Sequence, residues 1–389
     1  WNGNLALKHN PNLKFNQSLN YTKSINYRTY DAFDEWGSAK AQTEYRGYRD
    51  GIYYSGNYNF NLDNSITYGA EVEFDQYDHQ KTNTKFSNEI GSAYYDIQTR
   101  LTNNLYTTFG MRFDEHSEAG NEDSHRVSFA YLTDNKKTKF KGTYGTSYRF
   151  PSLYENYVVW NGDFDGKLTA ETGKGHDIGI ERSFLDSKLN LDLTYFNLKY
   201  NDTLDGWKDT ATDGNSYYHN QDGLVKSEGF ELAAKWLTNE NLNFDLNYTA
   251  TRTYDGADHD DANNNDGKTG GSGGGSFIDS RMVRVPRHML GLNTYYKIPN
   301  NNFSLNLQTI GSSRARDYGN FNSPKYGSNY LDVQLDAYIV NHLTVNAEYI
   351  PGYDVFFKVT NMFNETYNTA LDYSQPQRSF NVGFRRSFD

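Results

Sequence analysis

The residues of this 389-residue chain best suited to chemistry lie between Asp255 and Gly267. Asp255, Asp258, Asp260, Asp261 and Asp266 are interleaved with the amides Asn263, Asn264 and Asn265, and the spacing of two to three lets several oxygens turn towards one point. A hard cation such as Ca²⁺ takes roughly six to eight oxygen ligands in that way. No Glu stands at the closing position and no helical pattern flanks the loop, so it is not an EF-hand. Two readings stay open: a structural calcium that orders the loop, or a solvated acidic loop. No other cofactor is called for. Directly after it, Gly270 to Ser276 has the composition of a flexible linker, native or inserted.

A second group of candidates is aromatic. Tyr154, Tyr157 and Trp160 follow Pro151 in one long polar stretch, Trp207 lies in the next, and Tyr217 and Tyr218 stand at its far end. Aromatic faces interleaved with polar groups suit capture of a planar or amphipathic small molecule. Placed at the edge of a membrane, the same residues would form an interfacial girdle. Catalysis finds little support. The nine His are scattered, His125, His176 and His288 stand in or beside strand patterns, and no Gly-x-Ser-x-Gly nucleophile elbow opens a helix. The reading is of a protein that is not an enzyme.

The elements that must position these residues are strands. Ile66, Tyr68, Ala70, Val72 and Phe74 alternate with polar neighbours, as do Leu105 to Phe113, Leu189 to Tyr195, Leu242 to Tyr248, Phe303 to Leu307 and Leu331 to Ala337. In the final segment Phe380, Val382, Phe384 and Phe388 share one face, and Asn381, Gly383, Arg385 and Ser387 share the other. Period-2 alternation over about ten residues, closing on an aromatic, is what a membrane-crossing strand requires. No stretch shows helical periodicity. Apolar residues make up only 36% of the chain and mean hydropathy is -0.87, too polar to surround one large dry core. Aromatics reach 16%, with 34 Tyr, which fits a barrel with a wet interior and aromatic girdles. No run is long and apolar enough for a membrane helix. The absence of Cys rules out disulfides, and a net charge of -11 argues against nucleic acid as a partner.

The connections add direction. Short polar turns fall near residues 10–12, 61–64, 102–104, 134–137, 186–188, 238–241 and 299–302. Longer stretches fall near 31–40, 78–85, 116–124, 151–174, 201–215, 254–282, 312–329 and 364–377. Short and long alternate, as short periplasmic turns and long external loops do in outer-membrane barrels. The last short turn is either 340–342 or 351–354. With one of them counted, about seventeen strands result, and single-chain bacterial barrels use even numbers. The chain ends on the short-turn side while its first strand runs towards that side, so an odd number of strands is expected upstream.

Several phrases, in order, resemble the C-terminal part of a TonB-dependent outer-membrane receptor. They are Tyr144 to Glu155, with its Tyr-Arg-Phe-Pro core; Glu171 with His176 to Glu181; Glu228-Gly229-Phe230-Glu231; Arg284-Val285-Pro286-Arg287-His288; Asn361-Met362-Phe363-Asn364-Glu365-Thr366-Tyr367; and Gln375-Pro376-Gln377-Arg378. Asp389 after Phe388 departs from the family's aromatic ending.

The resemblance implies an all-β, transmembrane antiparallel β-barrel of 22 strands around an N-terminal plug. Residues 1–389 would then be a partial barrel domain of about seventeen strands, without the plug and the first strands. It further implies a multi-pass protein of the Gram-negative outer membrane, in contact with its lipid. Its partners would be TonB, reached through the plug region, and a scarce nutrient: cobalamin or an iron chelate such as a siderophore or haem. The brief loops lean towards the compact cobalamin branch. A passive porin-like channel is the alternative.

Overall fold

The computed structural model describes residues 1–33, 39–79, 84–157, 168–209, 216–255, 281–319, 331–350 and 353–386. Strands dominate. The first eight are β1 (Asn2–His9), β2 (Phe15–Phe33), β3 (Ala39–Asn59), β4 (Ser65–His79), β5 (Thr84–Arg100), β6 (Leu105–His116), β7 (Gly120–Leu132) and β8 (Thr138–Arg149). A five-residue helix α1 (Leu153–Tyr157) precedes β9 (Glu171–Phe184), β10 (Leu189–Asp209), β11 (Ser216–Leu237) and β12 (Leu242–Asp255). Then come β13 (His288–Lys297), β14 (Phe303–Ser312), β15 (Ala315–Gly319), β16 (Leu331–Leu335) and β17 (Tyr338–Ile350). The chain closes with β18 (Tyr353–Thr360), β19 (Asn368–Ala370), β20 (Tyr373–Ser374) and β21 (Ser379–Arg386). Seventeen strands belong to one antiparallel sheet, and β15–β16 and β19–β20 form two small hairpins beside it. The strand number expected from the alternation is thus met.

Two compact units divide the chain. The first holds Trp1–Ala130, Thr143–Gly175 and Tyr200–Gly223; the second holds Tyr131–Gly142, His176–Lys199 and Leu224–Asp389. In the first unit the register stacks Leu5, Tyr21, Ile52 and Val72 into one row across β1 to β4. Ile52 in that row is 50% exposed, and nearby Phe113 in β6 is 48% exposed. The opposite face carries charge. Arg112 reaches Glu71 at 2.9 Å and Asp114 at 2.8 Å, and Arg49 grips Asp75 at 2.6 Å. Such a sheet has an apolar and a polar face and no dry core between two layers. Buried apolar side chains among the described residues are accordingly few: Leu153, Leu168 and Ala170 in the first unit, and Ala315, Leu335, Val340 and Val359 in the second.

Asparagine and threonine side chains make the short turns. Asn12 accepts the N–H groups of Lys14 and Phe15, both at 2.9 Å. Asn61 accepts from Asp63, Thr102 from Leu105, Asn135 from Lys137, and Asn239 from Asn241 and Leu242. Each side chain stands in for a backbone carbonyl, which fixes a tight reversal without glycine.

The structure corrects several expectations and decides one that was open. The stretch 116–124 is not a long loop: β7 starts at Gly120, with three residues between it and the end of β6. His116 Nδ1 accepts the N–H groups of Glu118 and Ala119 at 3.1 and 3.0 Å, and Gly120 takes φ +88°, open to glycine without strain. Residues 340–342 are no turn but the middle of β17, and the reversal falls between Ile350 and Tyr353. A helix does occur, α1, too short to show a period in sequence; a Ser-x-x-Glu capping pattern was its only signal. Residues 31–33, 201–209 and 216 onward also continue as strand, because ladder hydrogen bonds are made by backbone and tolerate polar side chains.

In the second unit, a fully buried carboxylate joins three segments. Asp317 of β15 accepts Arg284 Nε at 3.0 and 3.1 Å and the backbone N–H of Leu371 at 2.7 Å. Arg284 N–H donates to Arg316 O at 2.6 Å, and Arg316 Nη1 donates to Arg281 O at 2.7 Å. Asn361, 2% exposed, organises the return to β21: its amide donates to Glu365 O and Pro376 O, and its oxygen accepts Glu365 N–H. The resemblance phrases at 284–288 and 361–367 are therefore strapping elements. Asp317→Ala should leave the sheet intact, lower stability by about 1–3 kcal/mol, and speed amide exchange at Arg284 and Leu371. Unchanged exchange at both amides would refute the strap.

Candidate ligand-binding site

The aromatic candidates after Pro151 are positioned by the polar face of the first unit. Ser152 and Glu155 cap α1 reciprocally: Ser152 N–H and Oγ donate to Glu155 Oε2 at 2.7 and 2.8 Å, and Glu155 N–H donates to Ser152 Oγ at 3.2 Å. Arg149, at the end of β8, binds Glu155 at 3.0 Å and Glu171, the first residue of β9, at 2.6 Å. Glu171 in turn accepts Leu204 N–H of β10 at 2.6 Å. One arginine and two carboxylates thus tie the helix to the end of β8, the start of β9 and the body of β10. Buried Pro151, Leu153, Leu168 and Ala170 fill the space beneath.

This clamp aims the tyrosines. The Tyr154 ring meets Tyr77 of β4 edge-on at 6.3 Å and Tyr218 of β11 edge-on at 6.1 Å. Tyr77 also stacks with Tyr45 of β3 at 6.3 Å. Tyr157 stacks on Phe86 of β5 at 4.1 Å and 12°, and its hydroxyl donates to Glu118. Burial pushes the Tyr157 phenol up to about 12, helped by the Glu118 bond, and burial also raises Tyr154. Both phenols are neutral hydrogen-bonding groups at any physiological pH.

Of the residues singled out from sequence, Tyr154 and Tyr218 are brought together by the fold. Tyr157 serves as an anchor, since its ring and hydroxyl are both engaged. Trp160 lies outside the described residues, and so do the side chains of Trp207 in β10 and Tyr217 in β11. Asp255 ends β12 with its side chain outside them too, as are Asp258, Asp260, Asp261, Asp266 and the Gly270 to Ser276 stretch. Among the described residues no group of three or more His, Asp or Glu could hold a metal. Sequence reasoning missed Tyr45, Tyr77, Phe86 and Glu118. The first three stand on long strands between polar neighbours (Glu44 and Arg46, Gln76 and Asp78, Lys85 and Ser87), and only the register reveals that they share one face.

Burial alone would raise the Glu155 carboxyl; Arg149 and the two Ser152 bonds outweigh it and hold the group below the ordinary range. A depressed value means that its stabilisation of α1 is complete above the ordinary Glu pKa of about 4.3 and is lost as pH falls through the depressed value. Exchange of amides 152–157, corrected for intrinsic rates, should therefore rise below about pH 4. Glu155→Gln should show the raised exchange already at neutral pH; equal exchange in both proteins at pH 7 would refute the clamp.

A family model described as TonB dependent receptor-like, beta-barrel, matches residues 1–362. A curated relative, the probable TonB-dependent siderophore receptor PirA of Acinetobacter baumannii, is 27% identical over 137 residues, 31% of this chain and 18% of its own. The crystal structure of that siderophore receptor superposes with a TM-score of 0.74 at 17% identity, covering 100% of this chain and 62% of that one. A variant of the ferric enterobactin receptor PfeA of Pseudomonas aeruginosa, in complex with enterobactin, gives 0.76 at 17% identity, covering 100% and 62%. The FrpB iron transporter of Neisseria meningitidis gives 0.72 at 14%, again covering 100% and 62%. The chain therefore spans less than two thirds of the length of these relatives, and at such identities the superpositions establish the fold. With the family model matched along nearly all of its length, the chain belongs to the TonB-dependent receptor-like β-barrel family.

Proposed function

We infer that the chain is the barrel of a Gram-negative outer-membrane receptor that takes up an iron chelate of the siderophore class, energised through TonB. The observation that carries the ligand class is the clamped tyrosine wall formed by Tyr154, Tyr218, Tyr77 and Tyr45. Neutral phenols and ring edges on a polar face suit a planar, oxygen-rich chelate, which presents both π-surface and acceptors. One relative is described as a siderophore receptor and another as a ferric enterobactin receptor, which favours an iron chelate over the corrinoid to which loop size and phrasing leaned. The exposed apolar rows, such as that of Ile52, meet lipid, and the charged rows of Arg49 and Arg112 face a wet interior.

In this reading the external residues bind the chelate, and a plug, pulled through TonB, opens the way. A passive channel would need neither step. The test is uptake by cells carrying the intact receptor, offered ferric enterobactin, haem or cyanocobalamin, with and without TonB and with the proton-motive force collapsed. Uptake of the ferric chelate should depend on both. Tyr154→Ala should raise its half-saturation concentration about 2–10-fold, the worth of one or two aromatic contacts. Uptake that ignores TonB would support the passive channel, and uptake of cyanocobalamin alone would overturn the chelate reading.

A further inference from the structure

In the second unit the apolar face ends in charge. Side chains alternate along a strand, so Lys226, Glu228, Phe230 and Leu232 of β11 point to one side. Their partners in β12 are Tyr254, Arg252, Ala250 and Tyr248. The same face runs on through Leu290 of β13, Gly311 of β14 and Ile339 of β17. Phe230 is 52% and Ile339 61% exposed, so none of the other described residues covers this surface.

Two recesses are associated with it. At the charged end a cavity of about 620 Å³ is lined by Lys226, Arg252, Arg281 and Arg287, with Glu228, Thr253 and Tyr254. Among the described residues Lys226, Arg252 and Arg287 meet one carboxylate there, and that carboxylate is engaged by Lys226 at 2.6 Å and by Asn197 at 3.0 Å. The backbone holds the arginines there: Thr251 N–H donates to Arg287 O at 2.8 Å, and Arg281 O is gripped from Arg316. The second recess, about 530 Å³, is lined by Tyr248, His288, Leu290, Gly311 and Ile339, with Ser312, Ser313 and Glu365 adding polar groups. Gly311 leaves it clear of a side chain at that point. A Cβ there would stand 3.5 Å from Leu290 Cβ and 3.9 Å from Ile339 Cγ1, in contact with both walls. Within this second recess, Tyr248 hydroxyl and His288 Nδ1 lie 2.8 Å apart.

We propose that the two recesses form one binding site for a phosphate-bearing lipid of the surrounding membrane. The head phosphate sits among Lys226, Arg252 and Arg287, and an acyl chain lies in the groove over Gly311. Guanidinium groups bind phosphate oxygens in pairs, and the surplus of positive charge outlasts the Lys226–Glu228 pair. A free anion would use the cavity and leave the groove empty; an uncharged lipid would do the reverse. Only an amphiphile with an anionic head uses both. The inference rests on the outer-membrane reading and is independent of which nutrient is carried.

The experiment uses the intact receptor in nanodiscs of phosphatidylcholine, titrated with lipid A, an acylated disaccharide bisphosphate, with its dephosphorylated form, and with inorganic phosphate. Wild-type protein should bind lipid A at least tenfold more tightly than the dephosphorylated lipid. The double variant Arg252→Glu/Arg287→Glu should lose that preference. Gly311→Leu should weaken lipid A binding severalfold with the preference for phosphate kept. Equal binding of the two lipids, or unchanged binding in both variants, would overturn the proposal. So would inorganic phosphate binding as tightly as lipid A, which would mark a free-anion site. Protein that fails to enter nanodiscs at all would refute the outer-membrane reading itself, and the lipid site with it.

Discussion

Every feature of this molecule depends on satisfying backbone hydrogen bonds along long antiparallel ladders. The chain has too little apolar content for a packed interior, and few of its described apolar side chains are buried. Stability therefore lies in the ladders and in the two faces they create. One face carries exposed rows such as Leu5, Tyr21 and Ile52; the other carries charge pairs such as Arg49–Asp75 and Arg112–Asp114. In water the first face would be a liability. In lipid, where unpaired backbone groups are costly and apolar side chains are at home, it is the expected arrangement.

Polar groups then do the locking that a hydrophobic core does elsewhere. Arg149 with Glu155 and Glu171 fixes α1 to the first unit. Asp317 with Arg284 and Leu371 straps three segments of the second. Asn361, with helix-like positive φ, caps the return to the last strand. Each is a carboxylate or amide with several partners and little exposure, where a single deletion leaves more than one group unsatisfied. Several phrases that carried the family resemblance fall on these locks and not on ligand contacts. Their value is largely architectural, although Tyr154, Arg287 and His288 also stand in the ligand surfaces.

Glycine contributes where aromatic rings need room. The Phe356 ring of β18 occupies the place that a Cβ on Gly383 of β21 would take. At Gly311 a Cβ would make only ordinary contacts with Leu290 and Ile339, and its absence leaves open space between them. In a sheet without a second layer, such vacancies are the main source of shaped apolar surface, because side chains otherwise project in even rows.

The sequence by itself determined the fold class, the strand number and most of the short turns, and its ordered phrases carried the family resemblance. Fold class and turns follow from period-2 alternation and from Asn and Thr side chains that close turns locally, both of which act over a few residues. It also marked Tyr154 and Tyr218, though not that they meet. Only the tertiary structure decided that residues 116–124 form a tight turn, since the bonds come from the His116 ring, and that 340–342 continue a strand. It alone brought Tyr45, Tyr77 and Phe86 beneath α1, and set Arg252 and Arg287 beside Lys226. Such neighbours lie on elements far apart in the chain, and their meeting is fixed by pairing across the sheet, which no local pattern records.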